Sequence, residues 1–440
     1  MARAEIGERA NASSAMSNSS RKSARIAITK QHDIARIAIE LMQNESQIPI
    51  ASQAASKQFA TPVALFYATL FGMTGTHLPF FTVWLKAVGI DAFWIGLITA
   101  VPPVTRFTAL PLVTGLAERR QALRGGIMVT AFATALGFFL LGTQHLPVLV
   151  FLIYALTCCL WTPMVPLTDA YTLRGVKRYG LNYGPLRLWG SAAFVLGALV
   201  CGVLFDRIAA QNLIWIIAGS AALGALASLT LRPLDDTRTA RPVTGGASAL
   251  LRDGGFIAVI VASALIQGSH AAYYIFASIA WQQAGYDGLT IAALWVLGVI
   301  AEIVLFALSP RFTLQPSTLV MIAALSAAAR WVITAQDPPL AVLAIVQLAH
   351  ALSFGLTQVG IMGLMLHHVP AHVMARAQGY LTACGGIVAG LASIASGTIY
   401  ESWGQGIYYV MAVMAALGGL VVWLARERLS HQPHKAASGG

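Results

Sequence analysis

The sequence predicts an all-α polytopic membrane protein, with 12 transmembrane helices in two six-helix bundles, and three observations carry that prediction. Hydrophobic residues make up 57% of the 440 and charged residues only 10%, whereas a soluble protein carries roughly a quarter charged. The mean hydropathy of +0.70 agrees. Twelve apolar stretches are each long enough to cross a hydrocarbon core of about 30 Å as a helix. Finally, the basic residues between those stretches are distributed one-sidedly.

The stretches cover 62–86, 92–116, 126–143, 147–171, 184–205, 211–231, 254–281, 289–309, 315–334, 339–366, 374–399 and 404–425. With both termini cytoplasmic, 23 of the 28 Lys and Arg fall on the inner side. Only Lys86 and Arg207 fall outside, while Arg106, Arg187 and Arg330 lie within spans. This positive-inside asymmetry gives a multi-pass topology with both ends cytoplasmic, in a bacterial inner (plasma) membrane. It also accounts for the formal charge of +11, and the absence of a basic stripe with interleaved aromatics argues against nucleic acid as a partner.

Residues 1–61 are polar, with no apolar core of a secretory signal. They form either a disordered extension or, around Ile34, Ile37, Ala38 and Leu41, a short helix lying on the membrane surface. The first bundle is expected over 62–231, a Pro-, Gly- and charge-rich cytoplasmic linker over 232–253, the second bundle over 254–425 and a cytoplasmic tail over 426–440. The bundles are weak repeats of one another. Gly190, Gly202 and Asp206 match Gly385, Gly397 and Glu401 at a constant offset of 195, and Gly89-Ile-Asp91 parallels Gly285-Tyr-Asp287 at 196. Parallel six-span repeats are the build of carriers that hold their solute between bundles near the midplane. Gly386 and Gly390, one turn apart, give a face on which helix backbones approach closely.

An ionisable group in lipid costs at least ~2.5 kcal/mol, so each one needs a partner or a task. Asp169 and Arg187 flank the cytoplasmic ends of consecutive spans, and are expected either to pair and orient two helices or to form a gate that breaks during transport. Arg106 sits mid-span beside Pro103, too deep to snorkel, and must pair across helices, meet loosened backbone carbonyls or bind an anion. Glu302, Arg330 and His350 lie one each on the eighth, ninth and tenth spans. Arg330 is roughly 10 Å shallower than Glu302 by helix rise, so the sequence leaves a direct bond open. A buried carboxylate is suited to carry a proton, and His350 is an imidazole that titrates near neutrality. His77 and His270, with Tyr273, Tyr274, Trp295 and Trp331, either pack or line a solute cavity.

Other chemistries find little support. Cys158, Cys159, Cys201 and Cys384 lie in apolar spans without CxxC spacing and read as small core residues. His367, His368 and His372 have no Cys or carboxylate beside them, so no metal site is expected. No cofactor is expected. There is no P-loop for an ATP-driven pump, and no HExxH or acid cluster for a membrane enzyme.

Several segments resemble the phenylpropionate-permease-like branch of the major facilitator superfamily. They are His77-Leu-Pro-Phe-Phe-Thr-Val-Trp-Leu, Arg106 followed by Pro111, Pro163-Met-Val-Pro-Leu-Thr-Asp169, Tyr183-Gly-Pro-Leu-Arg187-Leu-Trp-Gly-Ser191 and Ala349-His350-Ala-Leu-Ser-Phe-Gly355. The resemblance covers 62–425 and implies the major facilitator fold, alternating access and proton symport. It is similar to the sugar and nucleoside proton symporters, in which a Glu, an Arg and a His on helices eight to ten take part in coupling; Glu302, Arg330 and His350 occupy the matching helices. Two departures stand out. Thr114-Gly-Leu-Ala-Glu118-Arg119 replaces the family's Gly-x-x-x-Asp-Arg loop, and Ser353 stands where the lactose-permease-like branch carries a carboxylate.

The expected activity is secondary active transport, by proton symport, of a small organic solute: an aromatic acid such as phenylpropionate, a sugar or a nucleoside. Glu302, with Arg330 and His350, would couple the proton. Arg106, His77, His270, Tyr273 and Trp331 would contact solute, and Asp169, Arg187, Glu118 and Arg119 would gate. The partners are then the solute, protons and the bilayer, with the chain a monomer. An efflux carrier of the same fold and a solute sensor that moves no cargo are the rivals.

Overall fold

In hydrocarbon every backbone N–H and C=O must bond within its own segment, so apolar runs of this length become helices. The computed structural model describes residues 53–234, 247–370 and 373–430. The expected surface helix near Ile34, most of the linker, His372 and the last ten residues lie outside the described residues.

The first span is Gln53–Ala87, a single helix that begins in polar sequence ahead of the expected 62. The second is in three pieces, Ala92–Thr99, Val101–Thr105 and Ala109–Arg119. The third is Leu123–Leu141, the fourth Pro147–Trp161 continued by Met164–Tyr179, the fifth Tyr183–Phe205 and the sixth Leu213–Leu229. The seventh is Gly254–Gly268 continued by Ala271–Gln283, the eighth Gly288–Leu308 and the ninth Pro316–Thr334. The tenth runs Leu340–Leu348, a π-helical turn at Ala351–Gly355, then Leu356–His368. Met374–Trp403 and Ile407–Leu424 are the eleventh and twelfth. Ten stretches are long and apolar enough to span a membrane by length and composition; one of them, Arg376–Leu424, holds two spans divided at Gly404 (φ +52°), and Gln53–Ala87 completes the twelve.

The repeat read from the sequence has a structural cause. Gly89 and Gly285 take φ of +86° and +85°, a left-handed conformation that stops the first and seventh spans. Two residues on, Asp91 Oδ1 accepts from Trp94 N (2.9 Å) and Asp287 Oδ1 from Thr290 N (2.7 Å), so each aspartate caps the next span. Other interruptions fall mid-span. Pro102 and Pro103 break the second span, Pro163 breaks the fourth, and the seventh breaks at Ser269–His270 without a proline. Outward-facing leucines such as Leu112 (74% exposed) and Leu366 (68%) would be a liability in water and are what lipid contacts.

The spans fall mainly in one unit, made of Phe59–Lys177 and the described residues from Asn182 onward, while Arg178–Leu181 and the described residues before Phe59 form a second, small one, in which Ser56 Oγ donates to Tyr179 O (3.3 Å). Within the main unit the two six-helix halves touch at the face opposite the linker, here the far face. A Cβ on Gly202 would lie 2.5 Å from Gly288 O, where the fifth span meets the eighth; one on Gly397 would lie 2.5 Å from Ala92 O, where the eleventh meets the second. Near the linker face the same fifth and eleventh spans carry Gly184 and Gly379, and there a Cβ would meet nothing within 4 Å.

Candidate functional site

The polar groups of the second half converge on Arg330, which is 1% exposed. The π turn at Ala351–Gly355 holds one extra residue in the tenth span, the kind of bulge that often marks a functional site. His350 and Ser353 stand at and in that turn, and Gln347 lies one helical turn before His350. Four of the five guanidinium N–H donors have acceptors. Arg330 Nε donates to Val346 O (3.0 Å), one terminal nitrogen to Gln347 Oε1 (3.2 Å), and the other to His350 Nδ1 (3.0 Å) and Ser353 Oγ (3.3 Å). Its carbon lies 4.5 Å from the ring centres of both Tyr273 and Trp331, where the rings' negative faces help to hold a charge kept from water.

Arginine only donates, so the His350 nitrogen facing it must be an acceptor. His350 therefore carries its hydrogen on Nε2, which lies 3.8 Å from Glu302 Oε2. Glu302 and Arg330 do not touch directly; the imidazole stands between them. Glu302 is the member of this chain with a partly open side chain, 21% exposed against 7% for His350.

His270, Tyr273 and Trp331 belong to the same cluster as packed members. His270 Nδ1 faces Ile266 O (3.0 Å) and its Nε2 faces Ser353 Oγ (3.2 Å). Tyr273 donates to Gln347 Oε1 (2.7 Å) and Trp331 Nε1 to Ser269 Oγ (3.0 Å). One turn before His270, the Gln267 side chain buries both its amide oxygen and nitrogen without a protein partner.

The first half is different. Arg106 ends the short Val101–Thr105 piece, is exposed, and makes no side-chain hydrogen bond or ion pair among the described residues. His77 is buried, with Nε2 3.1 Å from Tyr154 Oη, its ring stacked on Phe81 and edge-on to Trp161, and Nδ1 unpartnered.

Asp169 and Arg187 come close without bonding to each other. Asp169 Oδ1 accepts from Tyr67 Oη (2.5 Å) and Tyr183 Oη (2.9 Å), while Arg187 lies over Phe71 (3.8 Å) and Tyr67 (5.5 Å). Tyr67 thus connects them, its hydroxyl to the acid and its ring to the base. Glu118 and Arg119, at the linker end of the second span, are exposed with no side-chain partner among the described residues. His368 is buried, its Nδ1 3.0 Å from Leu364 O. Gln347, Tyr67 and Tyr183 were not singled out by sequence. Gln347 left a signal as a polar residue one turn from His350, and Tyr183 as the first residue of the segment that carries Arg187.

A helical membrane unit of two six-helix halves, with charged side chains buried at mid-span, has the architecture of secondary transporters. The MFS_1 like family model matches residues 61–411, and the chain belongs to that family. A probable 3-phenylpropionic acid transporter of Escherichia coli (strain K12) is 33% identical over 365 residues, covering 80% of this chain and 94% of that one. The maltose permease of Geobacillus stearothermophilus is 29% identical over 386 residues, covering 84% and 95%. The crystal structure of the nucleoside transporter NupG superposes with a TM-score of 0.75 at 14% identity, covering 84% of this chain and 99% of that one. The chain has the twelve-helix major facilitator fold and is a multi-pass membrane transporter of small solutes, not an enzyme.

Proposed function

We propose that the protein is a proton symporter for a small organic acid with an apolar, aromatic body, and that Glu302 carries the proton. The observation that bears most weight is the order Glu302–His350–Arg330, in which Arg330 fixes the His350 tautomer and aims its one N–H at the carboxylate. Such a histidine cannot take a second proton while Arg330 donates to its Nδ1, so it senses Glu302 and does not store the proton. Ionised Glu302 draws the Nε2–H into a charge-assisted bond; protonated Glu302 releases it. The eighth and tenth spans then sit differently in the two states, and the π turn is where the tenth can yield.

Arg106 supplies the solute's counter-charge. An unpaired guanidinium at that depth favours an anion, and a carboxylate matches it in a two-pronged bond. Gln267 offers one donor and one acceptor to a polar group of the solute. The relative named for 3-phenylpropionic acid supports an aromatic acid over a sugar or nucleoside. The positive-inside pattern assigns the linker face to the cytoplasm of a bacterial plasma membrane, so closure at the far face corresponds to an inward-facing state. Asp169, Tyr67 and Arg187 act as the inner gate, with Glu118 and Arg119 at its rim, and the working unit is a monomer.

Uptake into proteoliposomes tests this reading. With the outside acidified, 3-phenylpropionate should accumulate while maltose and uridine do not. Uptake that ignores the pH gradient sinks symport, and a preference for maltose or uridine sinks the acid assignment.

A further inference from the structure

Asp206 closes the fifth span and Gly288 opens the eighth, and the two meet across the halves on the far face. Asp206 Oδ1 accepts from the Gly288 backbone N–H at 2.7 Å. That N–H is one of the donors a helix N-terminus leaves without an intrahelical acceptor, and a carboxylate there also meets the positive end of the helix dipole. The contact forms only because Gly202 and Gly288 let the backbones approach: a Cβ on Gly288 would strike Gly202 O and the Phe205 side chain. The repeat-related crossing lacks such a bond. There Gly397 packs on Ala92, but Glu401, the counterpart of Asp206, is exposed and bonded to nothing among the described residues. The eighth span also carries Glu302, about 21 Å further along its axis at 1.5 Å per residue.

We infer that Asp206 is a positioning residue for the transport cycle, a one-sided latch that keeps the far face closed by clamping the start of the Glu302-bearing span to the fifth span. The inference rests on the reading that the two halves rock as a carrier, and is independent of what the carrier couples to. Loss of the carboxylate removes a charge-assisted bond made only in the far-closed state, and so shifts the closed-to-open ratio.

The experiment places spin labels at Ala210→Cys and Gln336→Cys on the far face, and a second pair across the linker face, in the full chain with its four native cysteines replaced. Asp206→Ala should raise the far-open population relative to closed by roughly tenfold or more, the expectation for a hydrogen bond to a charged group. Asp206→Asn, which keeps an uncharged acceptor, should move it only a few-fold, and Glu401→Ala should not move it. Linker-face distances should shorten as far-face distances lengthen, which local unfolding would not produce. Gly288→Ala should force the far face open by steric contact. If Gly288→Ala opens the far face and neither Asp206 variant does, the latch is overturned and the carrier reading stands. Far-face distances that stay short in all of them overturn both.

Discussion

Two arginines lie deep in this membrane protein, one in each half, and they are held in opposite ways. Arg330 donates to four acceptors and lies against two rings, with 1% of its surface exposed. Arg106 sits at a break between helix pieces, exposed and without a side-chain partner among the described residues. An arginine with four of its five donors committed and almost no surface exposed has little left to offer a solute, and its value lies in fixing the groups around it. An unsatisfied one is costly to keep in a membrane unless something binds it. In the proposed mechanism the difference divides the labour between the halves: the second holds a rigid site for the proton, and the first presents a charge to the cargo.

The sharpest way to break this contrast is to exchange the consequences. Arg330→Leu should cost about 3 kcal/mol or more of stability, because it leaves His350 Nδ1 without its donor in the core and takes one donor each from Val346 O, Gln347 Oε1 and Ser353 Oγ. Thermal unfolding in detergent measures that loss, and transport should vanish with it. Arg106→Ala should leave the unfolding temperature nearly unchanged but raise the KM for a carboxylate solute roughly 10- to 100-fold. Arg106→Lys should recover part of the affinity, since it keeps the charge but not the two-pronged geometry. If Arg106→Ala instead unfolds the protein and spares KM, the two arginines are alike and the division is wrong.

A smaller effect is expected at Tyr67. Tyr67→Phe removes one donor to Asp169, a loss of about 1 kcal/mol, and in a double-mutant cycle with Asp169→Asn the two costs should not add. The smallest concerns Asp287 outside the membrane, whose carboxyl is held below the ordinary carboxylate range by its bonds to the Thr290 hydroxyl and backbone N–H. Its contribution is therefore complete above the ordinary carboxylate pKa and is lost as pH falls through the lowered folded value. The difference in unfolding temperature between the native protein and Asp287→Asn should accordingly shrink below pH 4 or so, the usual carboxylate range.

Most of the fold was legible because lipid makes the rules severe. Apolar length gave most of the spans to within a few residues, the first and fourth running eight or nine further into polar sequence, and Gly89-Ile-Asp91 with Gly285-Tyr-Asp287 betrayed the repeat through residues that stop and start helices. Helix in polar sequence was not legible from hydropathy, which is why Gln53–Ala87 begins earlier than the apolar run. Charge at depth singled out Glu302, His350 and Arg330 as candidates, but not how the three are arranged. That depends on a π turn that no proline marks, and on a seventh span that breaks at Ser269–His270 without proline. Likewise, opposite charge suggested that Asp169 pairs with Arg187, whereas Tyr67, 102 residues before Asp169 in sequence, supplies the hydroxyl and the ring that join them.

The claim at the centre is that the transported proton resides on Glu302 and that His350 only senses it. Glu302→Gln imitates the permanently protonated state, so the variant should still exchange labelled for unlabelled solute in counterflow at a rate close to native, while uptake driven by a pH gradient is lost. Gradient-driven uptake that survives in Glu302→Gln would contradict the account.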